Sequence, residues 1–352
     1  MSLSQLSVHN VRSISDASLE LSPGLNLLFG ANGAGKTSLL ESVFLLGRGR
    51  SFRTRNSERL IRRGESELRV VGRLGAEPSR VIGIGVTQAT GTTARLNGQS
   101  PSSLAELSIA FPVQVIDPEV HKLIEEGAAR RRRFLDWGVF HVEPGFASAW
   151  TRYARALKQR NAALRSDQSD IWIWDRELID CGEQIASARS RLFAQLEPFW
   201  MRLFSQLLQL PLKISLHSGW DRSQSFSDAL EAARPRDLER RTSTTGPHRC
   251  DLAMRIEQRA AREILSRGQQ KLAAAALVLG QLEYLRSHQQ LLPTLLLDDP
   301  AAELDRERLD QLVQHIRALG TQLIVTSLSP EQELLGAPDR VFHVEQGGVS
   351  RV

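Results

Sequence analysis

Eight consecutive residues decide the fold of this chain: Gly30-Ala31-Asn32-Gly33-Ala34-Gly35-Lys36-Thr37. Two glycines five positions apart, followed by Lys and Thr, form the pattern of a phosphate-binding loop. An apolar, strand-like run precedes the loop at residues 25–29, and a helix-like run follows it at residues 38–46. Strand, loop and helix in this order are the context that such a loop needs. The stretch therefore predicts an α/β fold that binds a phosphorylated ligand.

The residue types in the loop indicate how that ligand is held. Glycines let the backbone turn so that successive N–H groups converge on phosphate oxygens, and the following helix N-terminus adds a favourable partial charge. We expect Lys36 to reach the β- and γ-phosphates and Thr37 to place its hydroxyl on Mg²⁺. The predicted cofactor-binding residues of the loop are Gly30, Ala31, Asn32, Gly33, Ala34, Gly35, Lys36, Thr37 and Ser38.

Length and composition restrict the class of protein. A chain of 352 residues can hold two domains, or one domain with a large insertion. The formal net charge is +5, which permits a polyanionic partner without requiring one. Cys181 and Cys250 are the only cysteines, so neither a disulfide framework nor a zinc site is expected. With no signal peptide and no long apolar run, we expect a cytoplasmic protein.

Within the first two thirds of the chain, the predicted secondary structure changes once, from strands to helices. Residues 64–100 show strand patterns and contain Asn97-Gly98, a strong hairpin-turn dipeptide, so this segment is predicted to be antiparallel. Residues 111–116 form another short strand. From about residue 121 the spacing of apolar residues becomes helical, most clearly over 150–164 and 176–210.

The last third returns to alternating strands and helices. Predicted strands cover 294–297 and 322–326, a helix covers 305–319, and a hairpin turns over Gly347-Gly348. The simplest architecture is one α/β head built from both chain ends, residues 1–120 and 245–352. A helical insertion, residues 121–244, separates the two parts of the head.

A second acidic element lies in Leu295-Leu296-Leu297-Asp298-Asp299. An apolar run ending in an acid is typical of a buried parallel strand that brings a carboxylate to its C-terminal end. We therefore expect Asp298 to be a Mg²⁺ ligand, together with Thr37.

The string Leu265-Ser266-Arg267-Gly268-Gln269 resembles the signature of ABC-type ATPases. On the residues alone it is also compatible with a simple helix cap. The resemblance implies that Ser266, Gly268 and Gln269 close on ATP held by a second copy of the chain. It therefore implies an ATP-dependent homodimer.

Further strings extend the resemblance to nearly the whole chain, which resembles the RecF family, relatives of SMC-type heads without the long coiled coil. The strings are Arg50-Ser51-Phe52-Arg53-Thr54, Arg132-Arg133-Phe134-Leu135-Asp136-Trp137, Lys158-Gln159-Arg160-Asn161-Ala162-Ala163-Leu164, Gly246-Pro247-His248-Arg249 with Asp251, and Glu303-Leu304-Asp305. The resemblance implies an ABC/SMC-type P-loop ATPase head that uses ATP and Mg²⁺.

The family's function is implied in the same way. RecF proteins are ATP-dependent DNA-binding proteins of recombinational repair. They act with RecO and RecR at gaps and stalled forks and help RecA to load. ATP drives dimerisation and DNA binding, and hydrolysis dissolves the dimer.

The resemblance also assigns catalytic residues. Gln114 lies where the family's glutamine loop would be, and Lys36 belongs to the catalytic set. Asp299 lies where related ATPases usually carry a Glu that orients the attacking water. An Asp is one methylene shorter, so slow hydrolysis is expected. The switch-loop histidine of many ABC ATPases is not evident: either Thr326 or Ser327 takes that role, or the role is absent.

Sequence-independent DNA binding depends on Lys and Arg contacts to phosphates. The richest arginine clusters predict such contacts for Arg48, Arg50, Arg53, Arg55, Arg131 and Arg132. The DNA is expected to be a duplex or a junction of single and double strands.

Two other functions remain open from the sequence. A transporter ATPase subunit shares both motifs, but the more than two hundred residues that separate Thr37 from Gly268 disfavour its compact head. A non-catalytic, nucleotide-gated scaffold is the other alternative, because Asp299 replaces the usual Glu.

Overall fold

The computed structural model describes residues 2–75, 79–101, 104–166, 171–300, 306–330 and 336–352. The chain forms two compact units: Met1–Val120 with Leu285–Val352, and His121–Tyr284. The first unit is thus built from both chain ends. Its first segment ends at residue 120. The second boundary lies well beyond residue 245, because the returning segment pairs with a strand of the inserted unit.

The strands are β1 (Leu3–Val11), β2 (Ile14–Glu20), β3 (Leu25–Phe29), β4 (Glu67–Leu74), β5 (Arg80–Thr87), β6 (Gly91–Leu96), β7 (Val113–Ile116), β8 (Leu212–His217), β9 (Asp251–Ile256), β10 (Arg259–Ala260), β11 (Thr294–Leu297), β12 (Leu323–Ser327), β13 (Arg340–Glu345) and β14 (Gly348–Arg351). The helices are α1 (Lys36–Arg48), α2 (Leu104–Ala110), α3 (Lys122–Glu125), α4 (Ala128–Val142), α5 (Phe146–Arg165), α6 (Trp172–Leu208), α7 (Phe226–Arg240), α8 (Ala261–Ile264), α9 (Arg267–Gln289) and α10 (Arg306–Ala318).

A six-stranded sheet forms the centre of the first unit, in the order β14-β13-β3-β12-β11-β7. Its strands are parallel except for the C-terminal hairpin of β13 and β14. Every residue of β11 and β12 is buried. Strands covered on both faces read as continuous apolar runs, which is why the sequence predicted these two correctly. The parallel arrangement brings the loops after β3 and β11 to the same edge of the sheet.

The first unit also contains an antiparallel sheet, in the order β2-β1-β4-β5-β6. Burial alternates along β4 and β5, as in a sheet with one face on the core. The antiparallel prediction for residues 64–100 is therefore confirmed. Asn97 and Gly98 both have positive φ, but their turn closes only the short bridge between Leu96 and Gln99.

The second unit is mainly helical. The predicted helices over 150–164 and 176–210 correspond to α5 and α6, and α6 continues through Pro198. A small sheet in the order β10-β9-β8 accompanies them. The alternating strand β8 was not predicted. It pairs with β9 in antiparallel register from Leu212 opposite Ile256 to His217 opposite Asp251. In the described part of the chain, no helix combines the length and apolar character needed to cross a bilayer.

Two fully buried arginines hold the returning segment in the second unit. Arg160 of α5 donates hydrogen bonds of 2.7 Å to Asp237 Oδ2 and to Ser243 Oγ. Arg189 of α6 donates to the backbone carbonyl of Pro247 at 2.6 Å. Buried charges are tolerated when they are paired in this way. Segment 243–251 is therefore fixed to α5 and α6 by charge-assisted hydrogen bonds.

Candidate nucleotide-binding site

The loop between β3 and α1 has a backbone that requires its glycines. Gly30, Gly33 and Gly35 have φ values of 155°, 80° and 119°. A Cβ on Gly30 would lie 2.1 Å from the carbonyl oxygen of Val344. Helix α1 begins after Gly35, and no side chain caps its N-terminus. A helix start without a side-chain cap presents N–H groups and a positive partial charge to an anion.

Lys36 folds back over this loop. Its Nζ donates to the carbonyl oxygens of Gly30 at 2.6 Å and Ala31 at 2.9 Å. Burial lowers the pKa of Lys36, and the carboxylates of Asp299 and Asp298 oppose that effect. The ammonium group therefore lies at the loop, where phosphate oxygens can replace the two carbonyl partners.

Thr37 and Asp298 come together although they are far apart in the sequence. Thr37 Oγ1 lies 3.0 Å from Oδ1 and 3.1 Å from Oδ2 of Asp298. Asp298 follows β11, and its backbone N–H donates to the carbonyl of Ile116 at the end of β7. Burial raises the pKa of Asp298, while hydrogen bonds from Thr326 and Thr37 act in the opposite direction. The predicted metal pair is thus one contiguous site.

The residues present fit a Mg²⁺ ion. A hydroxyl and a carboxylate are hard oxygen ligands, and Mg²⁺ takes one or two such groups together with phosphate oxygens and water. Among the described residues, no group of three or more His, Cys, Asp or Glu side chains forms an all-protein metal cage. Thr37 and Asp298 would hold the ion, which would neutralise charge on a bound triphosphate.

Asp299 lies beside this pair in an unusual backbone conformation. Its φ is 47°, in the left-handed region, and its N–H donates to Thr326 Oγ1 at 2.9 Å. Thr326 in turn donates to Asp298 Oδ1 at 2.8 Å. Thr326, rather than Ser327, is therefore the β12 residue that contacts both acidic positions, since the Ser327 hydroxyl donates to the carbonyl of Ser329.

Gln114 lies within β7, before the edge of the sheet that carries Asp298, and its catalytic role stays a prediction. In the parallel register of β7 and β11, Gln114 lies opposite Leu295, and Ile116 lies opposite Leu297. Gln114 is thus three residues, about 10 Å, short of the level of Asp298. The same register places Asp117 at that level. Asp117, the first residue of an Asp-Pro dipeptide at the end of the strand, was not among the predicted site residues.

A buried carboxylate joins the arginine-rich segment to the loop helix. Glu41 of α1 is fully buried, and it accepts from Arg12 at 2.5 Å and 3.0 Å and from the hydroxyl of Ser51. Arg53 Nη1 lies 3.8 Å from the same carboxylate. The Ser51 hydroxyl also accepts backbone N–H groups of Arg53 and Thr54. Glu41 therefore fixes the start of the segment that follows α1.

The arginines predicted to contact DNA from this segment differ in exposure. Arg50 and Arg55 are exposed, and Arg53 keeps half of its side-chain surface. Arg48 is different, because burial and neighbouring Arg50 lower its pKa well below the ordinary value. Its guanidinium lies over the ring of Phe44, 5.4 Å from the ring centre. This position favours a packing role for Arg48 over contact with phosphate.

Arg131 and Arg132 both form hydrogen bonds within the second unit, and their DNA contacts stay a prediction. Arg131 donates to both carboxylate oxygens of Asp251, at 2.7 Å and 3.0 Å, and its side chain is only 11% exposed. Arg132 donates to the carbonyl of Cys250 at 2.7 Å. Both arginines thus fix the start of β9.

The signature residues lie at the start of α9 in the second unit. Ser266 N–H donates to Gln269 Oε1 at 2.9 Å, and Gln269 N–H donates to Ser266 Oγ at 3.3 Å. This reciprocal pair is a capping box. Gly268 lies in the first turn of the same helix. Residues Glu303-Leu304-Asp305 lie outside the described residues.

Comparison with known proteins identifies the family. The family model described as the RecF/RecN/SMC N-terminal domain matches residues 2–350. A protein named DNA replication and repair protein RecF from Shewanella pealeana is 38% identical over 358 residues, covering 99% of both chains. A relative of the same name from Shewanella baltica is 37% identical, again over 99% of both. The chain belongs to the RecF family.

Solved structures agree with this assignment. The recombination mediator protein RecF with ATPrS, in the RecFOR pathway, aligns with a TM-score of 0.88 and 27% identity, over 100% of this chain and 98% of the other. RecF with ATP aligns with a TM-score of 0.89 over 99% and 97%. An Smc head bound to a ScpA domain, with a TM-score of 0.61 and 16% identity, shares the fold. The fold is that of an SMC-type ATPase head, as expected.

Proposed function

We propose that this RecF-family chain is an ATP-dependent DNA-binding protein of recombinational repair and replication-fork maintenance. It binds DNA, either duplex or a junction of single and double strands, without sequence preference, as an ATP-driven dimer. With RecO and RecR it promotes RecA loading at gaps, in the cytoplasm. The names of its relatives support the repair function. The observation that carries the ATP-dependent part is the contact between Thr37 and Asp298 at the end of the phosphate loop.

Each residue of the site has a separate task in this proposal. The loop, residues 30–38, binds the triphosphate through backbone N–H groups, and Lys36 exchanges its two carbonyl partners for phosphate oxygens. Thr37 and Asp298 hold Mg²⁺, which stabilises the negative charge of the phosphates. Asp299 orients the attacking water. Its carboxylate is one methylene shorter than that of Glu, so hydrolysis is slow, and DNA accelerates it.

The dimer follows from the position of the signature. Ser266, Gly268 and Gln269 present a helix N-terminus that contacts ATP bound by the second copy. Hydrolysis removes the γ-phosphate, and the dimer then dissociates. The capping box is compatible with this role, because the Ser266 hydroxyl accepts in the box and still has a proton to donate to phosphate.

Sedimentation with ATP, ADP or no nucleotide, with and without DNA, tests the proposal. We expect dimers only with ATP, and DNA binding that follows the dimer. Lys36→Met removes the ammonium group, and Lys36→Arg replaces it with a bulkier cation, so both variants are expected to remain monomeric. A monomeric wild type at saturating ATP and DNA would refute the dimer clamp.

A non-catalytic scaffold is the second candidate, favoured by Asp299 in place of Glu. ATP turnover by the wild type and by Asp299→Asn separates the two. An ATPase loses turnover in the variant while ATP-dependent dimerisation persists. Equal and negligible turnover in both proteins, with dimerisation intact, would establish the scaffold instead.

A further inference from the structure

Helix α5 has a charge pattern unlike that of any neighbouring helix in the described part of the second unit. Its twenty residues include five cations, Arg152, Arg155, Lys158, Arg160 and Arg165, and no Asp or Glu. The whole chain is nearly balanced, with 45 basic and 40 acidic residues. A single-sign helix in a balanced protein indicates a surface for an oppositely charged partner.

Two of these cations already form ion pairs with acidic residues of the second unit. Arg160 is fully buried between Asp175 and Asp237. Arg152 donates to Glu177 of α6 at 2.6 Å and 3.0 Å. Arg155, Lys158 and Arg165 are exposed, and none of them forms an ion pair or hydrogen bond with another described residue. We call these three residues the arm stripe.

The arm stripe lies on one face of α5, opposite the packed face. At about 100° per residue, the three side chains fall within about 80° of one another. The buried face of the helix contains Phe146, Ala149, Tyr153, Ala156, Arg160, Ala163 and Leu164, which point the other way. Over about 15 Å of helix axis, the stripe offers cations spaced by roughly one and two turns.

Small residues surround the arm stripe. Thr151, Ala154 and Ala162 are exposed on the same side of α5. Short side chains leave the three cations as the most prominent groups of this face, so a phosphate backbone can approach the helix closely. Arg165 in the last turn is also favoured by the helix dipole, but Arg155 and Lys158 lie in mid-helix, where a like-charged neighbour three residues away is unfavourable.

Two acids of the adjacent helix pair with cations outside the stripe. Glu177 of α6 pairs with Arg152, and Glu183 of α6 pairs with Arg222 at 3.1 Å. Among the described residues, no carboxylate forms an ion pair with a member of the stripe.

We propose that the arm stripe binds the phosphate backbone of double-stranded DNA without sequence specificity. The proposal rests on the proposed function, and it assigns DNA contacts to a surface other than the arginine-rich segment after α1. Flexible, exposed Lys and Arg side chains suit backbone contact, because neutralising phosphates releases counterions whatever the base sequence.

Salt dependence of duplex binding tests the proposal. The measurement is fluorescence anisotropy of a labelled 30-base-pair duplex with ATP, at several salt concentrations. Arg155→Gln/Lys158→Gln/Arg165→Gln removes three contacts per protomer. For each protomer that contacts the duplex, the slope of log affinity against log salt is expected to fall by about 2.7 and the affinity at 0.15 M salt by about a hundredfold. Arg155→Lys/Arg165→Lys keeps the charges and is expected to bind like the wild type.

A matched control removes the same formal charge elsewhere in the second unit. Arg202→Gln/Lys213→Gln/Arg222→Gln is expected to leave the slope nearly unchanged. Sedimentation with ATP alone checks that each triple variant still dimerises. Wild-type slope and affinity in the stripe variant would overturn the arm stripe as a DNA surface and favour an acidic protein as its partner. Absence of DNA binding by the wild type would instead refute the proposed function as a whole.

Discussion

Thr326 donates a hydrogen bond of 2.8 Å to Asp298 Oδ1, and the same hydroxyl accepts the N–H of Asp299 at 2.9 Å. Thr326 is fully buried at the end of β12. The left-handed φ of Asp299, 47°, is unfavourable for a residue with a Cβ by about 1 kcal/mol or more. One hydroxyl group therefore holds both acidic residues in place and stabilises the strained backbone between them.

Replacing this hydroxyl by a methyl group tests its role. Thr326→Val leaves the part-buried N–H of Asp299 without its acceptor and leaves Asp298 Oδ1 with the Thr37 hydroxyl alone, so the unfolding free energy is expected to fall by about 1–3 kcal/mol. It also removes a hydrogen bond that holds down the pKa of Asp298, which burial already raises. Mg²⁺ needs the ionised carboxylate, so Mg²⁺-dependent ATP binding is expected to fail at a higher pH than in the wild type.

The measurement is a Mg²⁺ titration of a fluorescent ATP analogue between about pH 5 and pH 8. Thr326→Ser keeps the hydroxyl and is expected to restore the wild-type profile. If the Val variant shows the same pH profile as the wild type, Thr326 has only a packing role.

The C-terminal hairpin is expected to be essential for the shape of the phosphate loop. Gly347 N–H donates to the carbonyl of Ala34 at 2.9 Å. A Cβ on Gly347 would lie 2.3 Å from the carbonyl of Ser13, and its φ is 83°. Gly347→Ala is therefore predicted to lower the unfolding free energy by about 2 kcal/mol or more and to weaken ATP binding.

Gly98→Ala is the matched control for this prediction. Gly98 has a φ of 80°, but nothing lies within 4 Å of its Cβ position. The Gly98→Ala variant therefore measures the cost of a positive φ alone, about 1 kcal/mol, without a steric clash. Calorimetry and ATP titration should show no loss of ATP affinity for Gly98→Ala. Equal effects in both variants would mean that the hairpin does not support the loop.

Glu41 is predicted to order the arginine-rich segment after α1. Glu41→Gln removes a buried negative charge that faces Arg12 and Arg53, and about 3 kcal/mol of stability is expected to be lost. Hydrogen exchange at Arg53 and Thr54 should accelerate, because Ser51 loses the carboxylate that positions its hydroxyl. Glu58→Gln, at an exposed acid nearby, is the control. Unchanged exchange in Glu41→Gln would contradict the prediction.

Much of the site could be predicted from the sequence because short local motifs determine the backbone on which its residues lie. The loop glycines have the positive φ values that the motif requires, and the apolar run before Asp298 is a buried parallel strand. Parallel strands that end at one edge then bring Thr37 and Asp298 together. Strand register is not visible in one sequence, so the offset of three residues between Gln114 and the level of Asp298 could not be predicted.

The roles of the arginines could not be predicted for a related reason. Arg131 and Arg132 belong to a run of four arginines that looks like a polyanion surface. The partners that engage two of them, Asp251 and the carbonyl of Cys250, lie over a hundred residues away. The arm stripe has the opposite character: it is dispersed in the sequence, and only helical geometry and the burial of Arg160 show that its members share a face.

His248 is predicted to make the second unit sensitive to acid. Burial lowers the pKa of His248 from 6.5 to about 4, and the positive charges of Arg249 and Arg132 also lower it. The hydrogen bond to the Ser243 carbonyl and the negative charge of Asp237 act in the opposite direction. The unfolded chain therefore takes up the proton first. Stability is full above about pH 6.5 and declines towards pH 4, by about 3 kcal/mol in total. His248→Gln lacks this titration and is expected to lose less stability over the same pH interval. Urea unfolding of both proteins at pH 7 and pH 4.5 measures the difference, and parallel losses would show that His248 is not the responsible group.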